Sequence, residues 1–166
     1  MERTLKEAKQ SLRINFIKGS HCECCGQFVK LYKRKLNSGM AITLYQIWKY
    51  NKFSYVNVKS FLREQGFQNN HDWTLLRHWG FLEEKIEKDD IRKSSGVWRI
   101  TPMGLKFIMN ELETKKHVLL FDNKFQGWSD ETTTMEQSLG NKFKYPELMS
   151  EEIKKECLEN LQLVSI

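Results

Sequence analysis

The 166-residue chain is 40% hydrophobic, with ten Phe and five Trp, and carries a net charge of +6. That is one domain's length, or a domain with appendages, and enough apolar material for a packed core, which excludes a wholly disordered chain. Its longest apolar runs, such as Val118-Leu119-Leu120-Phe121, are too short to span a bilayer, and residues 1–7 lack the apolar stretch of a secretory signal, so a cytoplasmic protein with no membrane partner is expected. Charge is unevenly spread. Residues 1–60 hold 12 Lys/Arg against 3 Asp/Glu, while residues 111–166 hold 7 against 11. A basic front points to a polyanionic partner.

In chain order, Leu5, Ala8, Leu12 and Phe16 recur at helical spacing and predict an amphipathic helix over residues 3–17, ended by Gly19. His21 to Gln27 reads as a tight turn, and residues 28–36 alternate apolar with basic. Met40, Leu44, Ile47 and Trp48 mark a helix of about three turns. Val58, Phe61 and Leu62 mark a second, closed by Gly66. Asn69 to Asp72 offer N-caps for a third, whose inner side is Trp73, Leu76 and Trp79. Strands are expected from Phe81 to Ile86 and from Val97 to Ile100, the latter with Trp98 and Ile100 on one face. Thr101-Pro102 is a cap followed by a first-turn proline and starts a fourth helix. His117 to Phe121 reads as a strand, and residues 122–146 give no clear pattern. Ser150 caps a last helix with Ile153, Cys157, Leu161 and Val164 down one face. That stripe could close over the core formed by the preceding helices and strands, or pair with its copy in a homodimer; the acidic tail favours docking against the basic helix at residues 3–17, within the chain or between chains.

Helix, helix, helix, hairpin, helix over residues 40–112 resembles a winged helix-turn-helix domain. The resemblance rests on Leu76-Arg77-His78-Trp79-Gly80-Phe81-Leu82, followed by Gly96-Val97-Trp98-Arg99-Ile100-Thr101-Pro102-Met103-Gly104. Winged-helix regulators of the MarR and PadR kind end their reading helix in a similar glycine-hydrophobic-leucine step and close the wing with hydrophobic-Thr-x-x-Gly. The resemblance implies an α+β, mainly helical fold in three parts: a basic helix and cysteine turn (1–37), a winged-helix domain (38–113), and a C-terminal strand, loop and helix (114–166). The basic preamble and acidic tail do not match the dimerisation helices of those regulators, and in style resemble a small accessory protein of a phage or mobile element.

Four constellations carry candidate chemistry. The outward side of the third helix would present Asn70, His71, Thr74, Arg77 and His78; Asn and Arg can form bidentate bonds to base edges in the major groove of double-stranded DNA. The wing tip offers Arg92 and Lys93 to phosphates, although Glu83, Glu84, Glu87, Asp89 and Asp90 crowd the same hairpin. Lys30, Lys33, Arg34 and Lys35, with Tyr32 among them, could neutralise several phosphates. Cys22-x-x-Cys25-Gly26 is half of a zinc knuckle. Zinc wants four ligands, so histidines, carboxylates or a second chain would complete it; redox chemistry and a plain turn are the other readings. No phosphate-binding glycine loop or nucleophile motif is present, so a non-enzymatic, DNA-binding regulator or replication accessory is expected. The rival reading is a winged helix that docks on a host protein as inhibitor or adaptor.

Overall fold

The structure is a computed structural model that describes residues 3–67, 71–86 and 94–164. The protein is of the α+β class, with several small antiparallel sheets. The chain packs as two units, one of Met1–Lys35 with Lys116–Glu131, the other of Leu36–Lys115 with Thr132–Ile166. This division differs from the three consecutive segments expected, because β-pairing joins distant stretches.

In the first unit, α1 (Leu5–Asn15) begins in a capping box, Thr4 and Glu7 bonding each other's backbone N–H. Only Ala8 of its expected stripe is fully buried, and Leu5 is 62% exposed. The strands β1 (Ser20–His21) and β2 (Phe28–Val29) form a short hairpin around the cysteine turn. A three-stranded antiparallel sheet follows, built from β3 (Tyr32–Lys35), β8 (His117–Phe121) and β9 (Lys124–Trp128), with β8 central. The β8–β9 turn has Asp122 and Asn123 both at positive φ, 51° and 58°, as a two-residue hairpin turn of the primed kind requires.

In the second unit, α2 (Ser38–Asn51) is capped by Asn37, whose Oδ1 accepts from Met40 N at 2.9 Å. Met40, Leu44, Ile47 and Trp48 are fully buried along it. There follow β4 (Val56–Asn57), α3 (Val58–Glu64) capped by Asn57, a 3₁₀ helix (His71–Trp79), β5 (Leu82–Glu84), β6 (Val97–Ile100) and α4 (Pro102–Ile108). The sheet order is β4-β6-β5, antiparallel throughout, with Leu82 opposite Ile100 and Val56 opposite Trp98. Trp98 and Ile100 face the core while Val97 and Arg99 are half-buried, the alternation the sequence implies.

The remaining elements are the pair β7 (Thr114–Lys115) and β10 (Thr132–Thr133), then α5 (Met135–Leu139), α6 (Tyr145–Leu148) and α7 (Glu151–Val164). The helix α7 packs on α4 of its own unit. The expected apolar stripe is shorter than four residues: Cys157 is fully buried, Ile153 and Leu161 are half-buried, and Val164 is 47% exposed. Glu156 pairs at 2.8 Å with Lys52, which also lies over the Trp48 ring at the end of α2.

Candidate nucleic-acid interface and cysteine turn

The segment expected as an ordinary reading helix is a 3₁₀ helix of nine residues. Such long runs are uncommon, and the sequence explains this one. Trp73, Leu76 and Trp79 recur every third residue, and only a three-residue turn stacks them in one column. All three are buried, and Trp73 meets Trp98 edge-on at 5.8 Å. The same geometry sorts the polar residues. His71, Thr74 and Arg77 form a second column, one above another at steps of about 6 Å. His71 and Arg77 are exposed, and the Thr74 hydroxyl donates to His71 O at 3.3 Å. His78 falls in the third column with Asp72 and Leu75; it is half-buried, and burial followed by the nearby Arg77 charge holds its imidazole below the ordinary value. Asn70 lies outside the described residues.

The step after this helix is fixed by one threonine. Thr101 Oγ1 donates to Gly80 O at 2.5 Å and accepts from Gly104 N at 3.1 Å, while Thr101 N donates to Phe81 O at 3.0 Å. These bonds tie the start of α4 to the turn that leads into β5. A Cβ on Gly104 would lie 2.6 Å from Phe81 O, so only glycine lets the two backbones approach. The Gly80-Phe81-Leu82 step and the Thr101-x-x-Gly104 step are therefore two halves of one contact.

At the β5–β6 pair, Glu83 is bonded to Arg99, which also lies 4.5 Å from the Tyr55 ring centre. Glu84 is bonded by Ser94 and accepts from Ser95 N at 2.7 Å. Burial raises the Glu84 carboxyl, but bonds from Ser94, Ser95 and Gly96 outweigh it and leave the pKa lowered. Both carboxylates thus have partners on the same strand pair or next to it. Arg92 and Lys93, expected at the tip, lie outside the described residues.

The basic strand does not act as a single patch. Successive residues of β3 point to opposite faces, so Lys33 and Lys35 share one side while Tyr32 and Arg34 share the other. Lys33 lies 3.4 Å from Glu131, a carboxylate that Lys116 also approaches at 3.3 Å. Lys30 and Lys35 have no ion pair among the described residues. The first unit as a whole holds eleven Lys/Arg against six Asp/Glu, whereas the second holds sixteen against fifteen. Phe28 and Phe125, which no sequence motif marks, stand about half exposed on the same unit. The signal available for Phe125 was the Asp122-Asn123 pair between two apolar stretches, which marks a hairpin.

Cys22, Cys24 and Cys25 are free thiols on the β1–β2 turn. The turn is closed by Cys22 N donating to Gln27 O and Gly26 N donating to Cys22 O, both at 2.8 Å. The backbone N–H groups of Cys25 and Cys24 face the Cys22 sulfur and lower its pKa, while burial and the Cys22 charge raise that of Cys24. Among the described residues no group of three or more His, Cys, Asp or Glu is placed to hold a metal ion. Cys157 is a core residue, its thiol pushed up to about 12 by burial.

Among the described residues no helix is long and apolar enough to cross a membrane. No family model matches the chain, and neither a curated protein nor a solved structure does.

Proposed function

We propose that the protein binds double-stranded DNA through its second unit, as a winged helix-turn-helix protein that acts by binding rather than by catalysis. The observation that carries this reading is the connectivity α2, β4, α3, 3₁₀ helix, β5, β6, α4 with sheet order β4-β6-β5 and a column of exposed His71, half-buried Thr74 and exposed Arg77 on the helix before the wing. Arg77 supplies the bidentate donor for a guanine edge, and Thr74 a contact to a thymine methyl or a phosphate. The excess of five cations in the first unit supplies sequence-independent attraction to phosphates. A role as regulator or replication accessory follows from that activity. Zinc at Cys22 and Cys25 belongs to the same proposal, with two further ligands supplied from elsewhere to close a four-ligand site. The rival, docking on a host protein, is favoured by the wing stem, where Glu83 neutralises Arg99.

The deciding experiment is duplex binding by fluorescence anisotropy over a salt series. Arg77→Ala should weaken binding to a selected site by about 1–3 kcal/mol and flatten discrimination at one position. Equal binding of wild type and Arg77→Ala to every duplex removes this helix as the reader and leaves the protein-docking reading.

A further inference from the structure

The first unit contains a cleft of about 410 Å³, walled by Phe28, Tyr32 and Phe121 and edged by Gln27, Lys30 and Asn123. That volume is in the range of small-ligand pockets. Two of its aromatic walls are left in water, Phe28 at 51% and Tyr32 at 53% exposure. They are nonetheless held in place. The Phe28 ring lies against Gly19, whose missing Cβ would sit 2.5 Å from Phe28 Cζ, and His21 meets it at 5.2 Å. Tyr32 is fixed on β3, and the register puts Tyr32, Leu120 and Phe125 in one row across the sheet. Phe125 is 49% exposed and braced edge-on by Trp128 at 5.2 Å, so the aromatic surface continues beyond the cleft.

Charge selects the occupant. Lys30 in the cleft wall and Lys124 on β9 have no ion pair among the described residues, and the unit carries an excess of five cations. An apolar peptide would cover the rings and leave that charge unanswered. An unpaired nucleotide answers both needs, since every base has a face to stack and each link carries a phosphate. Gln27 and Asn123 each bring a donor and an acceptor to a base edge. Asp122, at the same rim, would repel a phosphate but accept from a base amino group, which places the backbone on the Lys30 side.

We propose that this cleft, with the Tyr32–Phe125 row beside it, is a binding site for unpaired nucleotides of a single-stranded nucleic acid. The site is distinct from the His71–Thr74–Arg77 column and does not rest on it. The test is anisotropy of labelled oligo-dT and oligo-rU of about 12 nucleotides, alongside a labelled duplex. Tyr32→Ala should weaken oligonucleotide binding by roughly tenfold to a hundredfold, the usual effect of deleting one stacking ring, with duplex binding within about twofold of wild type. Tyr32→Phe should retain the affinity, which separates stacking from folding, and Lys30→Ala should weaken both oligonucleotides and lower their salt dependence. The dT and rU arms distinguish a DNA strand from an RNA strand as the occupant. Arg77→Ala should leave oligonucleotide binding unchanged, so failure of the duplex reading does not touch this one. No binding of either oligonucleotide by wild type at low salt, or wild-type affinity in Tyr32→Ala, overturns the proposal.

Discussion

Gly104 is a helical residue, a place where alanine is ordinarily preferred by about 1 kcal/mol. Here the preference reverses. With Phe81 O at 2.6 Å and Ile100 Cγ1 at 2.9 Å from an added Cβ, one contact is backbone and cannot swing away. Gly104→Ala should cost about 1–3 kcal/mol by overpacking, read as a lowered urea midpoint at constant slope. An unchanged midpoint would show that the two backbones can part freely. At the cysteine turn, metal analysis of protein purified without chelator is expected to find zinc that is lost in the double substitution Cys22→Ser with Cys25→Ser. Wild-type protein without metal ends the zinc reading and leaves the turn to its hydrogen bonds. Two histidines add a pH dependence. His78 is held below the ordinary imidazole value by burial and then Arg77, His117 by burial and then Lys33. Both stay neutral in the folded chain where the unfolded chain takes up protons, so stability should fall as pH drops below about 6.5. Denaturant midpoints at pH 7.5 and 5.5 check the sign, and His78→Gln and His117→Gln should shrink the difference.

Elements differ in how far the sequence discloses them, and the reason is the range of the forces that set them. The helix α4 is readable because its start is local, Thr101 as cap and Pro102 in the first turn. The strand β6 is readable from Trp98 and Ile100 alternating with half-buried neighbours. The third helix is legible as a helix, and its winding is open to closer reading: Trp73, Leu76 and Trp79 at steps of three are a 3₁₀ signature, whereas an α-helical stripe mixes steps of three and four. That distinction changes the site, since it aligns Thr74 with Arg77 and withdraws His78. The sheet β3-β8-β9 is out of reach, because Tyr32 opposite Leu120 is a pairing between remote stretches that no local period announces. In the patternless stretch after Phe121, β9 is ordered by pairing with β8 and β10 by pairing with β7. At the end of β5, the Glu84 carboxylate gathers Ser94, Ser95 and Gly96. Glu84→Ala should loosen this hairpin, seen as faster amide hydrogen exchange at residues 95–97 with residues 40–48 unaffected; equal protection at 95–97 would make the clasp dispensable.

Across the molecule, the uneven charge read from the sequence becomes a division of labour between units. The excess of five cations sits in the first, and the near-neutral second holds the large apolar core. Within the basic strand the cations are not equal. Lys33 shares Glu131 with Lys116, whereas Lys35 has no ion pair among the described residues. Lys35→Ala should therefore lower the salt slope of duplex binding by about one unit and affect all sequences alike, with Lys33→Ala doing less. Equal slopes in wild type and Lys35→Ala would take β3 out of the phosphate contact.

The C-terminal helix tests the second unit as a whole. Its one fully buried side chain is Cys157, flanked by half-buried Ile153 and Leu161, and the packing partner is α4, which itself carries the Gly104 contact. Glu156 adds an ion pair to Lys52, but with side chains 34% and 43% exposed it contributes well under about 1 kcal/mol. Apolar burial thus stabilises the helix more than charge does. Losing it by truncation after Met149 should cost about 2 kcal/mol or more, a fall of about 4–8 °C in melting temperature for a chain of this size. The cut would also uncover the α4 side of the core, so the shortened protein should bind a hydrophobic dye or elute as an aggregate. Glu156→Gln alone should leave the melting temperature within about 2 °C, which separates packing from charge. A truncated chain that melts and elutes as the full chain does would mean that α4 needs no cover, and that Cys157 is buried without holding anything in place.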